Sequence, residues 1–170
     1  GEMDLSNHAK ASLVASIVES DFYTQLRTNQ QLGYIVWSYN NRIEDRLFFR
    51  LVIQSATYDP FELKARVEAW MSRTKKIFDK LTDDEFERHR KGFIVSLEKK
   101  GDSIAEVTSN LYYYATQEKG NFEFKSQLVR VVKGLKKEEV ISAAREIFLE
   151  SKTPRLITLI RSKSNNKPIP

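Results

Sequence analysis

Arg27-Thr28-Asn29-Gln30-Gln31-Leu32-Gly33-Tyr34 marks a change of period in this chain. Upstream, from about Ser6 to Arg27, Leu13, Ile17 and Leu26 fall near one stripe of a helix that neither Pro nor Gly interrupts. Downstream, from Leu32 to Tyr39, Tyr34, Ile35, Val36, Trp37 and Tyr39 are β-branched or aromatic, the composition of a strand. The eight residues therefore join a helix to a strand. They also place a fixed cation and a phenol seven positions apart.

Working outward, the polar run Asn40 to Asp45 predicts a connection into a second strand, Arg46 to Ser55. There Leu47, Phe49, Leu51 and Ile53 share one face, with Arg50 and Gln54 on the other, so the pair reads as an antiparallel hairpin buried on one side. Asp59-Pro60-Phe61-Glu62 sets an N-cap acid, a proline at the first helical position and an early glutamate. Leu63, Val67, Trp70, Met71, Ile77 and Phe78 then recur at helical spacing. Thr82-Asp83-Asp84-Glu85 is a capping box before a helix carrying Phe86, Phe93 and Leu97. Gly101-Asp102-Ser103 breaks the chain before a helix from Ile104 to Lys119, a short helix covers Phe124 to Val132, and another runs from Lys137 to Glu150.

Arg155 to Arg161 is apolar on both faces at Leu156, Ile157, Leu159 and Ile160, which predicts a last strand inside the sheet. The order predicts an α+β fold, with helices covering one face of a mixed or antiparallel sheet. Residues 1–161 form a single domain in this reading and Ser162 to Pro170 a loose polar tail. Three strands are few for so much apolar surface, and the chain opens almost directly on a helix, as though a first strand were missing. Such a sheet would leave an edge on which two copies can pair.

With 41% apolar and 30% charged residues, the composition is that of a soluble globular protein. Gly1-Glu2-Met3-Asp4 has neither the basic nor the apolar region of a secretory signal, and no apolar run has the ~18 residues of a membrane span. The absence of cysteine excludes disulfides and thiolate metal sites without choosing between cytoplasm and periplasm. The excess of five positive charges is spread over helices that also carry acids, and no nucleic-acid motif accompanies Arg73-Thr74-Lys75-Lys76 or Arg88-His89-Arg90-Lys91. Nucleic acid is not an expected partner.

Arg27 and Tyr34 have structural explanations: arginine suits the last turn of a helix, and tyrosine suits a half-buried strand. They also carry a chemical one. Both donate hydrogen bonds, and together they can polarise a carbonyl and hold the oxyanion formed when water attacks it. Gly33 beside them would let a substrate backbone approach closely.

The block from Phe22 to Val36 resembles the C-terminal half of the insulin-degrading enzyme and pitrilysin family. That family's pattern is an aromatic residue, Leu-Arg-Thr, two variable residues and Gln-Leu-Gly-Tyr, matched here by Leu26-Arg27-Thr28 and Gln31-Leu32-Gly33-Tyr34. Phe49 to Ser55, Arg66-Val67-Glu68-Ala69, Leu81 to Phe86 and Pro154-Arg155 extend the similarity over most of the chain.

The resemblance implies a processing-peptidase-like α+β domain from the C-terminal half of a zinc metalloendopeptidase. Arg27 and Tyr34 would bind peptide substrate and stabilise the oxyanion, and Gln31, Leu32 and Gly33 would support them. The zinc and its catalytic half would lie N-terminal to this chain. The family's metal motif, His-x-x-Glu-His with a further Glu, cannot be built from His8 and His89, the two histidines present. This chain is accordingly expected to bind no metal and to be inert alone. The competing expectation is a structural or assembly domain of the same fold that has lost the chemistry. Tyr112-Tyr113-Tyr114 suits core or interdomain packing more than a substrate surface, because consecutive helix positions diverge.

Overall fold

A computed structural model describes residues 4–44, 46–150 and 153–162. The chain opens with α1 (Leu5–Phe22), capped by Asp4, whose carboxylate accepts the Asn7 N–H. Its buried residues lie on nearly every side: Ala9, Ala11, Leu13, Val14, Ile17, Val18 and Phe22. A helix apolar all round belongs at the centre of a protein. The single stripe expected from sequence is therefore too narrow. The neighbours of α1 explain why: β1 (Ile35–Ile43) packs on one side of it, and α5 (Phe124–Gly134) and α6 (Lys137–Phe148) on others.

β1 pairs antiparallel with β2 (Arg46–Gln54), Ile35 opposite Gln54 and Ile43 opposite Arg46. The strand starts three residues later than predicted and runs through Asn40–Asn41–Arg42–Ile43, which the sequence presents as a polar connection. Those polar side chains have partners that the sequence does not reveal: Asn40 Nδ2 donates to Ser12 Oγ at 2.8 Å, and Arg42 is paired below the sheet. The apolar face of β2 is as expected, with Phe49, Leu51 and Ile53 packed on the core. The opposite sheet face is wet, leaving Trp37, Tyr39, Ile43 and Phe48 exposed.

α2 (Pro60–Asp79) and α3 (Asp83–Glu98) begin where their signals lie. Asp59 Oδ1 accepts the Phe61 N–H at 2.9 Å, and Thr82 and Glu85 cap one another reciprocally. α4 (Ile104–Thr116) stops three residues short of its predicted end. Within it Tyr114 is buried, Tyr113 half-buried and Tyr112 exposed, as divergent directions require.

The predicted last strand does not form. Residues 155–161 pair with no strand among the described residues, and Leu156 and Ile160 are 91% and 82% exposed. The segment is tied by its end side chains instead: Arg155 Nη2 donates to the Phe148 carbonyl at 2.8 Å, and Arg161 Nη2 to Asp59 Oδ2 at 2.8 Å. An apolar run reports a preference for burial, but a strand needs a neighbouring backbone, and the two-stranded sheet supplies none there. The predicted tail begins at Ser162 and from 163 onward lies outside the described residues.

Beneath the sheet is a buried ionic cluster. Arg42 Nη1 meets Glu118 Oε2 at 2.8 Å with both side chains almost fully buried, and Tyr113 Oη donates to Glu118 Oε1 at 2.7 Å. Burial, reinforced by that hydrogen bond and the Glu118 charge, pushes the Tyr113 phenol up to about 12. His8, edge-on to Phe124 at 5.3 Å, points Nδ1 into the same region, buried and without a hydrogen-bond partner among the described residues. Burial holds its pKa below the usual histidine value; Glu118 pulls it up and Arg42 pushes it further down. His89 is lowered too, by burial first and Arg88 second.

A histidine whose folded pKa is depressed takes up protons more readily on unfolding. Stability is then fully present above the ordinary value of ~6.5 and declines as pH falls through it. The urea midpoint should fall between pH 7.5 and 5.5, and His8→Gln should reduce that fall. A variant whose midpoint drops as much as the parent's would exclude His8 as the cause.

Candidate functional site at the helix–strand junction

The helix does not run to Arg27 in ordinary α geometry. After Phe22 it widens into a π-helical segment, Tyr23–Asn29, which carries Arg27. π turns are rare and concentrate at functional positions. The segment closes through Gln30 N–H to Gln25 carbonyl at 3.2 Å and Leu32 N–H to Leu26 carbonyl at 3.0 Å. No residue type in Tyr23–Asn29 announces this widening, so the sequence reads as continuous helix.

The five motif residues then divide the work. Gln31 reverses the chain with φ 51°, a left-handed conformation that costs a residue with a Cβ. Leu32, fully buried, anchors the turn in the core beside Leu26 and Val36. Gly33 lies against the end of β2. A Cβ there would stand 2.0 Å from the Gln54 carbonyl oxygen and 2.8 Å from its carbon. The close approach that glycine permits here is by the protein's own β2 backbone.

Tyr34 is the residue the fold leaves over. It precedes β1 and is 85% exposed, so strand packing does not account for it. The Arg27 guanidinium carbon lies 5.8 Å from its ring centroid. Such a cation–π contact contributes ~0.5–1 kcal/mol at an exposed site and mainly sets the mutual orientation of the two groups. Residues 31–34 and 54–57 border an open hollow of about 390 Å³ beside them. The structure therefore brings Arg27 and Tyr34 together at a solvent-facing edge, on a turn anchored by Leu32 and Gly33.

A larger cleft of about 520 Å³ lies away from the motif, among Ser16, Ile77, Arg88 and His89. Among the described residues no three His, Cys, Asp or Glu side chains come together to hold a metal ion. His8 and His89 line separate regions. No helix among the described residues is long and apolar enough to cross a membrane.

The chain is similar to known proteins over this region. The profile of the family described as PQQ synthase PqqF-like, C-terminal lobe domain 4, matches residues 13–112, a span that includes the whole junction. A nardilysin-like protein of Arabidopsis thaliana is 30% identical over 144 residues, 84% of this chain and 14% of that protein. The insulin-degrading enzyme of Drosophila melanogaster is 27% identical over 130 residues, 76% of this chain and 13% of the enzyme. The crystal structure of pitrilysin superposes with a TM-score of 0.74 at 24% identity, over 86% of this chain and 16% of that one. This chain thus spans about a seventh of the length of these three proteins. With α+β architecture, motif and profile in agreement, it belongs to the PqqF-like C-terminal lobe domain 4 family and is similar to part of the insulin-degrading enzyme and of pitrilysin.

Proposed function

We propose that this chain is the substrate-binding C-terminal domain of a zinc metalloendopeptidase, with Arg27 and Tyr34 forming its part of a shared active site. The observation that carries this is the pairing of an 85% exposed Tyr34 with Arg27 at 5.8 Å, on a turn too constrained to be a casual surface loop. Arg27 would hold the carbonyl side of a bound peptide, and the Tyr34 hydroxyl would donate to the oxyanion that develops on that carbonyl. The activated water would come from zinc held elsewhere in the complete enzyme. Leu32 and Gly33 fix where the two donors stand. Gln31 turns the chain so that Tyr34 leaves the core.

The test is Arg27→Gln in the complete peptidase. Loss of a charged hydrogen bond of ~1.5–3 kcal/mol corresponds to a ~10–10²-fold lower kcat/KM, with zinc content unchanged. Unchanged kcat/KM would remove Arg27 from the site. A complete protein that hydrolyses no peptide and encodes no His-x-x-Glu-His segment would instead establish the structural-domain alternative.

A further inference from the structure

We infer that α2 is the brace that holds the π segment, and through it Arg27, in position, with Arg66 as its principal positioning residue. The inference rests on the proposed role of Arg27 for its catalytic meaning, but its structural content stands apart from it.

Three side chains on one stripe of α2, at positions i, i+4 and i+7, reach across to the residues around Arg27. Arg66 Nη1 donates to Gln30 Oε1 at 3.0 Å, just beyond the end of the π segment. Trp70 Nε1 donates to Asp21 Oδ2 at 2.8 Å, just before its start. Arg73 Nη1 reaches Gln25 Oε1 within it at 3.4 Å. The brace therefore grips both ends and the middle of a seven-residue segment.

Arg66 is itself held from two further sides. Its Nη2 meets Glu62 Oε1 at 2.8 Å, one turn earlier on α2, and its guanidinium lies 5.8 Å from the Tyr58 ring centroid. A planar fork fixed in this way spends little additional conformational freedom on the bond to Gln30. Trp70 is immobile for a different reason: it is 2% exposed and packs edge-on against Phe22 at 4.7 Å and Phe148 at 5.7 Å.

The need for a brace comes from helix geometry. A π segment accommodates a residue more than the α-helix of the same rise. Relaxation to α geometry would rotate the residues downstream of it by about 100°, the angle per residue of a helix with 3.6 residues per turn. Arg27 would then no longer stand over the Tyr34 ring. Hydrogen bonds from a separate, rigid helix to residues on both sides of Arg27 oppose that rotation. The segment's own closing bonds, at Gln30 and Leu32, report whether it holds.

The experiment is amide hydrogen exchange on this chain, comparing the parent with Arg66→Ala and Arg66→Lys. Arg66→Ala should speed exchange at the Gln30 and Leu32 amides by about fivefold to tenfold, the scale of one lost hydrogen bond. Exchange in α3 and α6 should stay as it was, which a general loss of stability would not allow. Arg66→Lys, keeping one donor, should restore part of the protection. Unchanged exchange at both amides in Arg66→Ala overturns the brace whatever the turnover. In the complete peptidase, Arg66→Ala should also lower kcat. Faster exchange at the two amides with unaltered kcat would keep the brace and remove Arg27 from the chemistry instead.

Discussion

Replacing Tyr34 with phenylalanine in the complete peptidase is expected to lower kcat by ~10²–10³, the usual effect of deleting one oxyanion donor. The substitution keeps the ring, and with it the face on which Arg27 stacks at 5.8 Å. It deletes only the hydroxyl. Because Tyr34 is 85% exposed, that hydroxyl contributes nothing to a buried network, and the melting temperature of the chain should not change. The loss should fall on kcat and kcat/KM alike, as for an interaction made only in the transition state. Zinc content should equal the parent's. Undiminished turnover would exclude Tyr34 from the chemistry, whereas a large fall in melting temperature would show that the hydroxyl is structural.

Gly33→Ala should act through the fold rather than the chemistry. The added methyl would stand 2.0 Å from a backbone oxygen of Gln54, and neither partner is a flexible side chain that can swing away. The turn and the end of β2 must separate. Overpacking of this kind costs on the order of 3 kcal/mol, which for a chain of this size lowers the melting temperature by ~6–12 °C. Separation would also displace Tyr34, the next residue, so peptidase activity should fall together with stability. That joint loss distinguishes Gly33→Ala from Tyr34→Phe. A melting temperature within about 2 °C of the parent's would contradict the backbone contact.

Much of the fold was legible because its signals are local. The Asp59-Pro60 and Thr82–Glu85 caps open helices where they stand, and both are formed as the spacing requires. The alternation of Leu47, Phe49, Leu51 and Ile53 assigns the buried face of β2 correctly, since side chains of a strand alternate between its faces. Local signals fail where a distant partner decides. Asn40 and Arg42 look like loop residues until Ser12 and Glu118 are found beside them. Residues 155–161 look like a buried strand, yet a strand needs an adjacent backbone.

The site divides along the same line. Arg27, Gln31, Leu32, Gly33 and Tyr34 could be singled out from the motif, and the sequence by itself determined the chemical groups available: a guanidinium, a phenol, and no set of zinc ligands. Only the tertiary structure decided where each of them stands. The π widening sets where Arg27 points, and three side chains of α2 hold residues around it, each 36 to 49 positions from its partner in sequence. The backbone of β2 explains Gly33, and the 85% exposure of Tyr34 leaves its side chain facing solvent. The physical reason is range: capping, turn and periodicity preferences act over a few residues, whereas orientation at a site depends on contacts between segments that meet only once the chain has folded.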